Sequence, residues 1–283
     1  MPAPPPPAPL PGLTAALSEG AQEWLDQAVG RLTENPSAAL PELFPQLPRR
    51  LGREPVGVGR HRIEDREIDL GAWRCCDAAA LLLLETARAS EDLLLDLFYH
   101  GDMEEKTMLL RAMAARSVDH ATVTLLGEAQ RTNTAPHLEA AVCDSNLLAR
   151  AVEHEEFGLD GFNRMVLKIA FVDLPLTRLF GAERIANPDL SRSLQDLATE
   201  REAAGRRVWR DTNLLIARAP TAGTRARLAG GLEHGDDSQR LSAAKGLRYL
   251  QDDALRALAR ERLDREPVAT IHAAITEALK APG

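Results

Sequence analysis

The sequence predicts an all-α protein of stacked helical hairpins that form a single compact array. Hydrophobic residues make up 45% of the 283 residues but aromatic residues only 4%, so the core must consist mostly of alanine and leucine. Runs of valine, isoleucine, tyrosine and threonine, which favour strands, are almost absent. From Trp73 onward, apolar residues recur at helical spacing in segments separated by short breaks, as expected for consecutive helices.

The N-terminal part of the chain is less regular. Residues 1–12 read MPAPPPPAPLPG, which lacks the basic and apolar regions of a secretory signal and predicts a disordered, proline-rich tail. Residues 13–32 have the spacing of an amphipathic helix, and three prolines limit residues 37–51 to short helical turns. Glycines and alternating valines predict a loop with a short extended piece at residues 52–71.

Capping and breaking residues divide the rest of the chain into helices. Ser90, Asp102, Thr134 and Asn187 are predicted N-caps, and Gly205 is predicted to end a helix. The predicted helices cover residues 73–86, 91–99, 103–116, 121–130, 135–143, 146–154, 162–171, 189–204, 210–217, 224–232, 237–250, 253–264 and 268–280.

Two segments 134 residues apart resemble each other, although any two amphipathic hairpins share some of this pattern by chance. In each, a Gly-Asp pair opens a helix and a basic residue follows one turn later, Lys106 in the first segment and Arg240 in the second. A second aspartate, Asp119 or Asp253, then starts the partner helix. The pattern resembles a HEAT-like hairpin, which buries its apolar face only by stacking on neighbours. We therefore predict a tail at 1–12, a main helical domain at 13–220, and C-terminal HEAT-like hairpins at 221–283 packed on it.

Charge and composition exclude several classes of function. The net charge of −8 and the pI near 5.5 argue against broad nucleic-acid binding and against docking on anionic lipid. No apolar run approaches the length of about 20 residues that a membrane span needs. Cys75, Cys76 and Cys143 form no disulfide framework and are expected to be buried small residues in a reducing compartment. We expect a cytoplasmic protein without a membrane span and without nucleic-acid partners.

Motifs for catalysis and metal binding are missing. The sequence has no glycine-rich nucleotide loop, no serine-hydrolase turn and no zinc-ligand spacing. Asp92 and Asp96 share a helix face but have no second set of ligands, and the spacing of His154-Glu155-Glu156 does not suit one helix face. We predict neither a metal nor a cofactor.

The middle of the chain carries the polar residues that are hardest to explain by packing. Arg131 and Asn133 flank a turn between two helices, and Glu139 follows on the next helix. Lys168 lies in an otherwise apolar segment, where its charge must be paired, reach solvent or serve a binding or catalytic role. Its candidate partners are Glu139, Glu200 and Glu202.

A charged cluster ends the helix at 189–204. Glu200, Arg201, Glu202 and Arg206 belong to it, and the spacing of Glu202 and Arg206 predicts a modest surface pair. These charged residues can form a functional site only if they lie close to Lys168 or Arg131 in the folded chain.

Several short motifs occur in order along the middle of the chain. They are Gly101-Asp-Met-Glu-Glu105, Arg131-Thr-Asn133 with Glu139-Ala140, Asn163-Arg-Met-Val-Leu-Lys168-Ile-Ala-Phe171, Gly181-Ala-Glu-Arg184, Asn187 with Leu190, and Glu200-Arg-Glu-Ala-Ala-Gly-Arg206. At these motifs the sequence resembles the EboA family of metabolite-traffic proteins, and the similarity spans residues 56–215. The resemblance implies an association with gene clusters that make and move secondary metabolites, without an established reaction. It also implies that a shared site could include the motif residues Arg131, Asn133, Glu139, Asn163, Lys168, Glu200 and Arg206.

Three functions are open at this point. The first is a non-enzymatic binding or adaptor protein that aids traffic or export of a secondary metabolite through a groove in its helices. Its partners would be that metabolite or proteins of the same biosynthetic or transport cluster. The second is an enzyme that acts on a prenylated or aromatic metabolite, with Lys168 or Glu139 as acid or base. The third is a structural scaffold that needs no site.

Overall fold

The computed structural model describes residues 7–209 and 211–280, and helices dominate this part of the chain. The all-α prediction is confirmed. Short 3-10 helices lie at Phe44–Gln46, Leu70–Ala72, Leu176–Arg178 and Leu247–Tyr249. The longer elements are α1 (Leu13–Ala16), α2 (Glu19–Glu34), α3 (Pro36–Leu43), α4 (Leu47–Leu51), β1 (Arg60–Ile63), β2 (Arg66–Asp69), α5 (Cys75–Thr86), α6 (Glu91–His100), α7 (Met103–Met113), α8 (His120–Arg131), α9 (Ala135–Val142), α10 (Leu147–Ala151), α11 (Gly158–Phe171), α12 (Ala182–Ile185), α13 (Pro188–Ala203), α14 (Thr212–Arg218), α15 (Thr224–Leu232), α16 (Asp237–Gly246), α17 (Asp253–Leu263) and α18 (Ala269–Lys280).

Most of the predicted helix starts are made by side chains that accept backbone N–H groups. Asp102 accepts from the amides of Glu104 and Glu105, and Ser90 and Asn187 cap α6 and α13 in the same way. These three predictions are confirmed, because a short polar side chain satisfies amides that the first turn leaves open. The prediction for Thr134 is wrong: its side chain makes no capping bond, and a proline in the first turn of α9 removes one of those amides.

The first compact unit comprises Met1–Gly158. Its centre is α5, which is buried along nearly its whole length and contacts α2, α4 and α7. Beyond it, α7 contacts α9 and α6 contacts α8. The three cysteines are buried, as predicted. Residues 1–6 of the predicted tail lie outside the described residues, while Leu10 is already buried in this unit.

The predicted extended piece is an antiparallel hairpin of β1 and β2, with Arg60 opposite Asp69. Asn146 fastens this hairpin to the start of α10. Its amide nitrogen donates to the Asp65 carbonyl at 2.7 Å, and its amide oxygen accepts from the Glu67 N–H at 2.9 Å. A two-stranded sheet is marginal by itself, so this anchorage stabilises it.

The second compact unit comprises Leu159–Gly283. Here α14 contacts α16, α16 contacts α18, and α15 contacts α17, so alternate helices lie side by side. Their apolar core includes Leu228, Leu232, Leu255 and Ile271. Arg210, where the sequence pattern starts a helix, lies outside the described residues.

In both of the similar segments an aspartate caps the first helix, but other matched residues have different contacts. Asp102 and Asp236 both cap their helices, and α17 begins at Asp253 as predicted, with Asp252 as its cap. Lys106 lies 5.3 Å from the centre of the Phe98 ring, while Arg240 is buried and pairs with Glu266. The HEAT-like repeat therefore stays a prediction.

The division of the chain at Gly158 comes from the packing of the helices themselves. The predicted domain boundary at residues 220 and 221 stays a prediction, as does the cytoplasmic location. Among the helices of the described residues, none combines the length and the apolar character needed to cross a bilayer.

Candidate functional site

In the first unit, the predicted site residues lie at the junction of α8 and α9. Arg131 is exposed and donates to the Glu128 carboxylate at 2.6 Å, and the same carboxylate accepts from the Tyr99 hydroxyl at 3.1 Å. Asn133 is exposed and Glu139 is half-buried, and both have interaction partners. An exposed pair three residues apart contributes little to stability, so Arg131 is free to be substituted without unfolding the unit.

In the second unit, Asn163 and Lys168 lie on α11. The amides of Asn163 and Asn187 bond reciprocally, at 3.2 Å and 2.8 Å, and Asn187 also caps α13. Asn163 therefore ties α11 to the start of α13. Lys168 is half-buried and its side chain is not without a partner.

Glu200 and Arg206 mark the end of α13, and both are exposed. Gly205 has a φ of 63°, the Arg206 N–H donates to the Arg201 carbonyl, and the Gly205 N–H donates to the Glu202 carbonyl. These two hydrogen bonds form a Schellman motif, so the predicted helix end at Gly205 is confirmed. The predicted pair of Glu202 and Arg206 is wrong, because Glu202 binds Arg227 of α15 at 2.5 Å.

The second unit contains a cleft of about 580 Å³ whose polar lining includes three amide side chains. We call it the amide cleft. One wall is a face of α13, the opposite wall is α15 with the residues just before and after it, and α14 and α16 contribute the floor. None of the seven predicted site residues lines it. Its lining residues are Gln195, Asp196, Thr199, Glu202, Val208, Asn213, Ala222, Gly223, Ala226, Arg227, Gly230, Gly231, His234 and Gln239.

The floor of the amide cleft is a chain of hydrogen bonds between Gln239 and Asn213. The Gln239 amide nitrogen donates to the carbonyls of Val208 and Trp209 at 3.0 Å and 2.6 Å, which leaves its oxygen to accept from Asn213 at 3.4 Å. This order fixes the Asn213 amide with its oxygen turned away from Gln239. Asn213 is 2% exposed, and within the described residues that oxygen has no donor.

The walls differ in character. Gln195, Asp196, Thr199 and Glu202 follow one another along a single face of α13, as a helix spaces them. The facing wall on α15 carries small residues, Gly223, Ala226 and Gly230 among them, and these leave the space that the cleft occupies.

The charged groups of the cleft are held at its rim. The Arg227 guanidinium, whose side chain is 19% exposed, binds the Glu202 carboxylate and donates to the Thr199 hydroxyl at 3.0 Å. The His234 Nδ1 atom accepts from the Asp236 N–H at 3.0 Å, so a neutral imidazole carries its proton on Nε2. Arg207 pairs with Asp236, and the hydrogen bonds from Ser238 and Arg207 lower the pKa of that carboxyl well below its usual range. Asp236 therefore stays charged and holds the turn that positions His234.

Gly230 and Gly231 are neighbours on α15 with opposite surroundings, and we expect alanine at the two positions to have opposite effects. A Cβ at Gly230 meets nothing within 4 Å, so Gly230→Ala should stabilise the second unit by about 0.5–1 kcal/mol through helix propensity alone. A Cβ at Gly231 would lie 2.8 Å from both the Ala243 Cβ and the Asn213 amide nitrogen, so Gly231→Ala should destabilise it. Urea unfolding of both variants measures this, and equal shifts would contradict the geometry of the floor.

Sequence reasoning missed the amide cleft because its members are common polar residues. Gln195, Asn213 and Gln239 are 18 and 26 residues apart in sequence, and no motif joins them. The available signal was the glycine pair within a predicted helix, since glycine there costs stability and marks a close approach or an open space. Within the described residues, no group of three or more histidine, cysteine, aspartate or glutamate side chains is placed to hold a metal ion.

The described structure defines an all-α protein with a polar cleft in its second unit. Its sequence matches the family described as metabolite traffic protein EboA over residues 11–216, which is well over half of the chain. The chain belongs to the EboA family, as the resemblance predicted. No curated protein and no solved structure matches it significantly. The family match ends within α14, so the α15 wall and the Gln239 part of the floor lie beyond it.

Proposed function

We propose that this EboA-family chain is a non-enzymatic binding protein that holds a secondary metabolite during its traffic, and that the amide cleft is where it binds. The observation that carries the proposal is the buried Asn213 oxygen, which lacks a donor in a cleft of about 580 Å³. A buried acceptor without a partner costs about 1–3 kcal/mol. A ligand hydroxyl or N–H group would supply the missing bond after a small movement of the floor uncovers this oxygen.

The size and lining of the amide cleft support a small-molecule ligand. Small-molecule sites have volumes of roughly 300–1,000 Å³ and contain a few fixed polar groups among apolar ones. Gln239 and Asn213 are held by their own hydrogen bonds, so the floor is preorganised before a ligand arrives. A preorganised floor lowers the entropic cost of binding.

Binding is better supported than the enzymatic alternative. Lys168 and Glu139, the acid or base of that alternative, lie in different units and neither lines the amide cleft. The family description, metabolite traffic, favours a protein that holds its ligand without converting it. Proteins of the same biosynthetic or transport cluster would deliver and receive the ligand.

We expect the amide cleft to retain a compound from a small-molecule extract of cells that carry the gene cluster. The test incubates the protein with the extract and identifies retained compounds by native mass spectrometry. Wild type should release each compound with unchanged mass. Gly230→Leu should retain none, because Gly230 faces open space and a larger side chain there would fill the cleft without a clash.

A matched control is available in the first unit. Gly30 also lies on a helix and a Cβ there meets nothing within 4 Å, so Gly30→Leu makes the same change away from the cleft. Retention should be equal in Gly30→Leu and wild type. Equal retention by Gly230→Leu would show that the cleft is not the site, and a released compound of altered mass would favour the enzyme.

A further inference from the structure

We propose that the ligand of the amide cleft is a small polyhydroxy compound that carries no anionic group. The inference rests on the proposed function, since it names the chemical class that the same site would hold. Its basis is the hydrogen-bonding capacity that the lining side chains have left after their own contacts are counted.

Two amide oxygens at the cleft have no donor among the described residues, and the Asn213 oxygen is covered by neighbouring atoms. The Gln195 nitrogen donates to the Thr221 hydroxyl at 2.8 Å and to the hydroxyls of Ser191 and Thr224 at 3.3 Å. Within the described residues, no donor reaches the Gln195 oxygen, just as none reaches the Asn213 oxygen. The Asn213 amide cannot turn over without losing the bond from its nitrogen to the Gln239 oxygen, which can only accept.

Two carboxylates add to these acceptors. Asp196 is exposed on the cleft face of α13 and forms no ion pair with any side chain that the structure describes. Glu202 gives one oxygen to Arg227 at 2.5 Å, and its other oxygen has no donor in the described part of the chain. Amide and carboxylate oxygens accept only, so the ligand that satisfies them must bring several donors.

The donors of the cleft are fewer and already partly used. Arg227 directs its two terminal nitrogens to Glu202 and Thr199, and His234 offers Nε2 when neutral. With Asp196 and Glu202 charged and one arginine between them, the lining carries net negative charge, which disfavours a carboxylate or phosphate ligand. A hydroxyl group both donates and accepts, and so it suits the open oxygens together with the remaining arginine and imidazole donors.

The apolar part of the lining favours a saturated ring over a flat aromatic one. Val208, Ala222 and Ala226 present small alkyl surfaces, and no phenylalanine, tyrosine or tryptophan is among the lining residues that the structure describes. Stacking needs an aromatic partner, whereas the C–H face of a saturated ring packs on alkyl groups. The cleft is therefore better matched to a polyol or sugar ring than to an aromatic metabolite.

Titration with defined probes tests whether the ligand is a polyhydroxy compound without an anionic group. The neutral probes are glucose, myo-inositol and trehalose, and the anionic counterparts of glucose are glucuronate and glucose 6-phosphate. Hydrogen-exchange protection of α13 and α15 in the full chain gives each dissociation constant. We expect at least one neutral probe to bind and the anionic counterparts to bind about tenfold more weakly or not at all. Tighter binding of an anion than of glucose, or protection by no neutral probe, would overturn the class.

The substitution Asp196→Asn tests the ligand class through the direction in which it changes the affinity for the neutral probe. It removes the charge of an unpaired acceptor, so it should weaken binding of the neutral probe about tenfold. Asp26→Asn, an exposed change of the same charge in the first unit, should leave binding unchanged. Tighter binding of the neutral probe by Asp196→Asn would also overturn the class.

Failure of the class and failure of the proposed function give different results. If an extract compound is retained by wild type and lost in Gly230→Leu while no neutral probe binds, the polyhydroxy class is wrong and the binding function stands. If no retention depends on the cleft, the proposed function is wrong, and the ligand class is wrong with it.

Discussion

Glu266→Gln should destabilise the second unit by about 3 kcal/mol, because two arginines lose a fully buried charged acceptor. The Glu266 carboxylate is fully buried and binds Arg240 at 2.9 Å and Arg262 at 2.8 Å. It also accepts from the Val268 N–H at 3.1 Å, just before α18 begins. Because Arg240 is only 7% exposed in its side chain, neutralising Glu266 would leave that guanidinium with Asp237, a largely exposed carboxylate, as its remaining ion-pair partner. Urea unfolding, with hydrogen exchange of α16 and α18 as the local report, measures the loss.

The control for this prediction is the same substitution at an exposed pair. Glu233 binds Arg265 at 2.6 Å, but their side chains are 35% and 54% exposed. Glu233→Gln should therefore change stability by less than about 1 kcal/mol. A loss at Glu266 no larger than the loss at Glu233 would contradict the account of a buried, interlocked cluster.

The same cluster predicts how stability depends on pH. Burial alone would raise the pKa of Glu266, but the hydrogen bonds from Arg240, Val268 and Arg262 outweigh it and lower the pKa to about 2. A carboxyl whose pKa is lower in the folded than in the unfolded state stabilises the fold above its unfolded pKa, near 4.5. That contribution should fade as the pH falls from about 4.5 towards 2. Unfolding midpoints across this range should fall less steeply in Glu266→Gln than in wild type.

The local features of the fold could be predicted from the sequence because each has a short-range cause. Ser90, Asp102 and Asn187 satisfy open amides within three residues, and Gly205 adopts the positive φ that ends α13. For the β1–β2 hairpin, the sequence predicts only a short extended piece within residues 52–71. Its pairing is fixed by Asn146, which lies about 80 residues further along the chain.

Arg240 and Glu266 show what sequence patterns do not reach. Arg240 was predicted as the equivalent of Lys106 because both follow a Gly-Asp pair by one turn. Yet Lys106 meets an aromatic ring while Arg240 is buried in an ion cluster. Helical spacing predicts the face on which a residue lies, but the partner across that face comes from another segment of the chain.

The family motifs explain helix joints better than they explain a cleft. Asn163 bonds to Asn187 at the start of α13, and Arg206 donates its N–H to the cap at the end of that helix. A motif position was therefore not a reliable sign of a ligand contact. Gln195, Asn213 and Gln239 line the cleft because three different helices bring ordinary amides together, and that convergence exists only in the folded chain.

Asp77→Asn should destabilise the first unit by about 2–3 kcal/mol, because this carboxylate organises the start of α5 from a buried position. Its side chain is 2% exposed and accepts from the Arg74 N–H at 3.0 Å and from the Arg74 side chain at 2.9 Å and 2.7 Å. The hydrogen bond to Asp77 is the main reason that the pKa of Arg74 is raised above its usual value. An asparagine keeps the shape of the side chain but turns one acceptor into a donor that faces the guanidinium.

Glu104→Gln is the matched control, since Glu104 binds the same arginine from the first turn of α7. Its contact with Arg74 is as short, 2.6 Å, but its side chain is 30% exposed. Solvent screens that pair, so its loss should cost less than about 1 kcal/mol in urea unfolding. Equal losses in the two variants would mean that burial of the carboxylate does not set its contribution. A larger loss for Asp77→Asn would show that Arg74 is held in place chiefly from the α5 side.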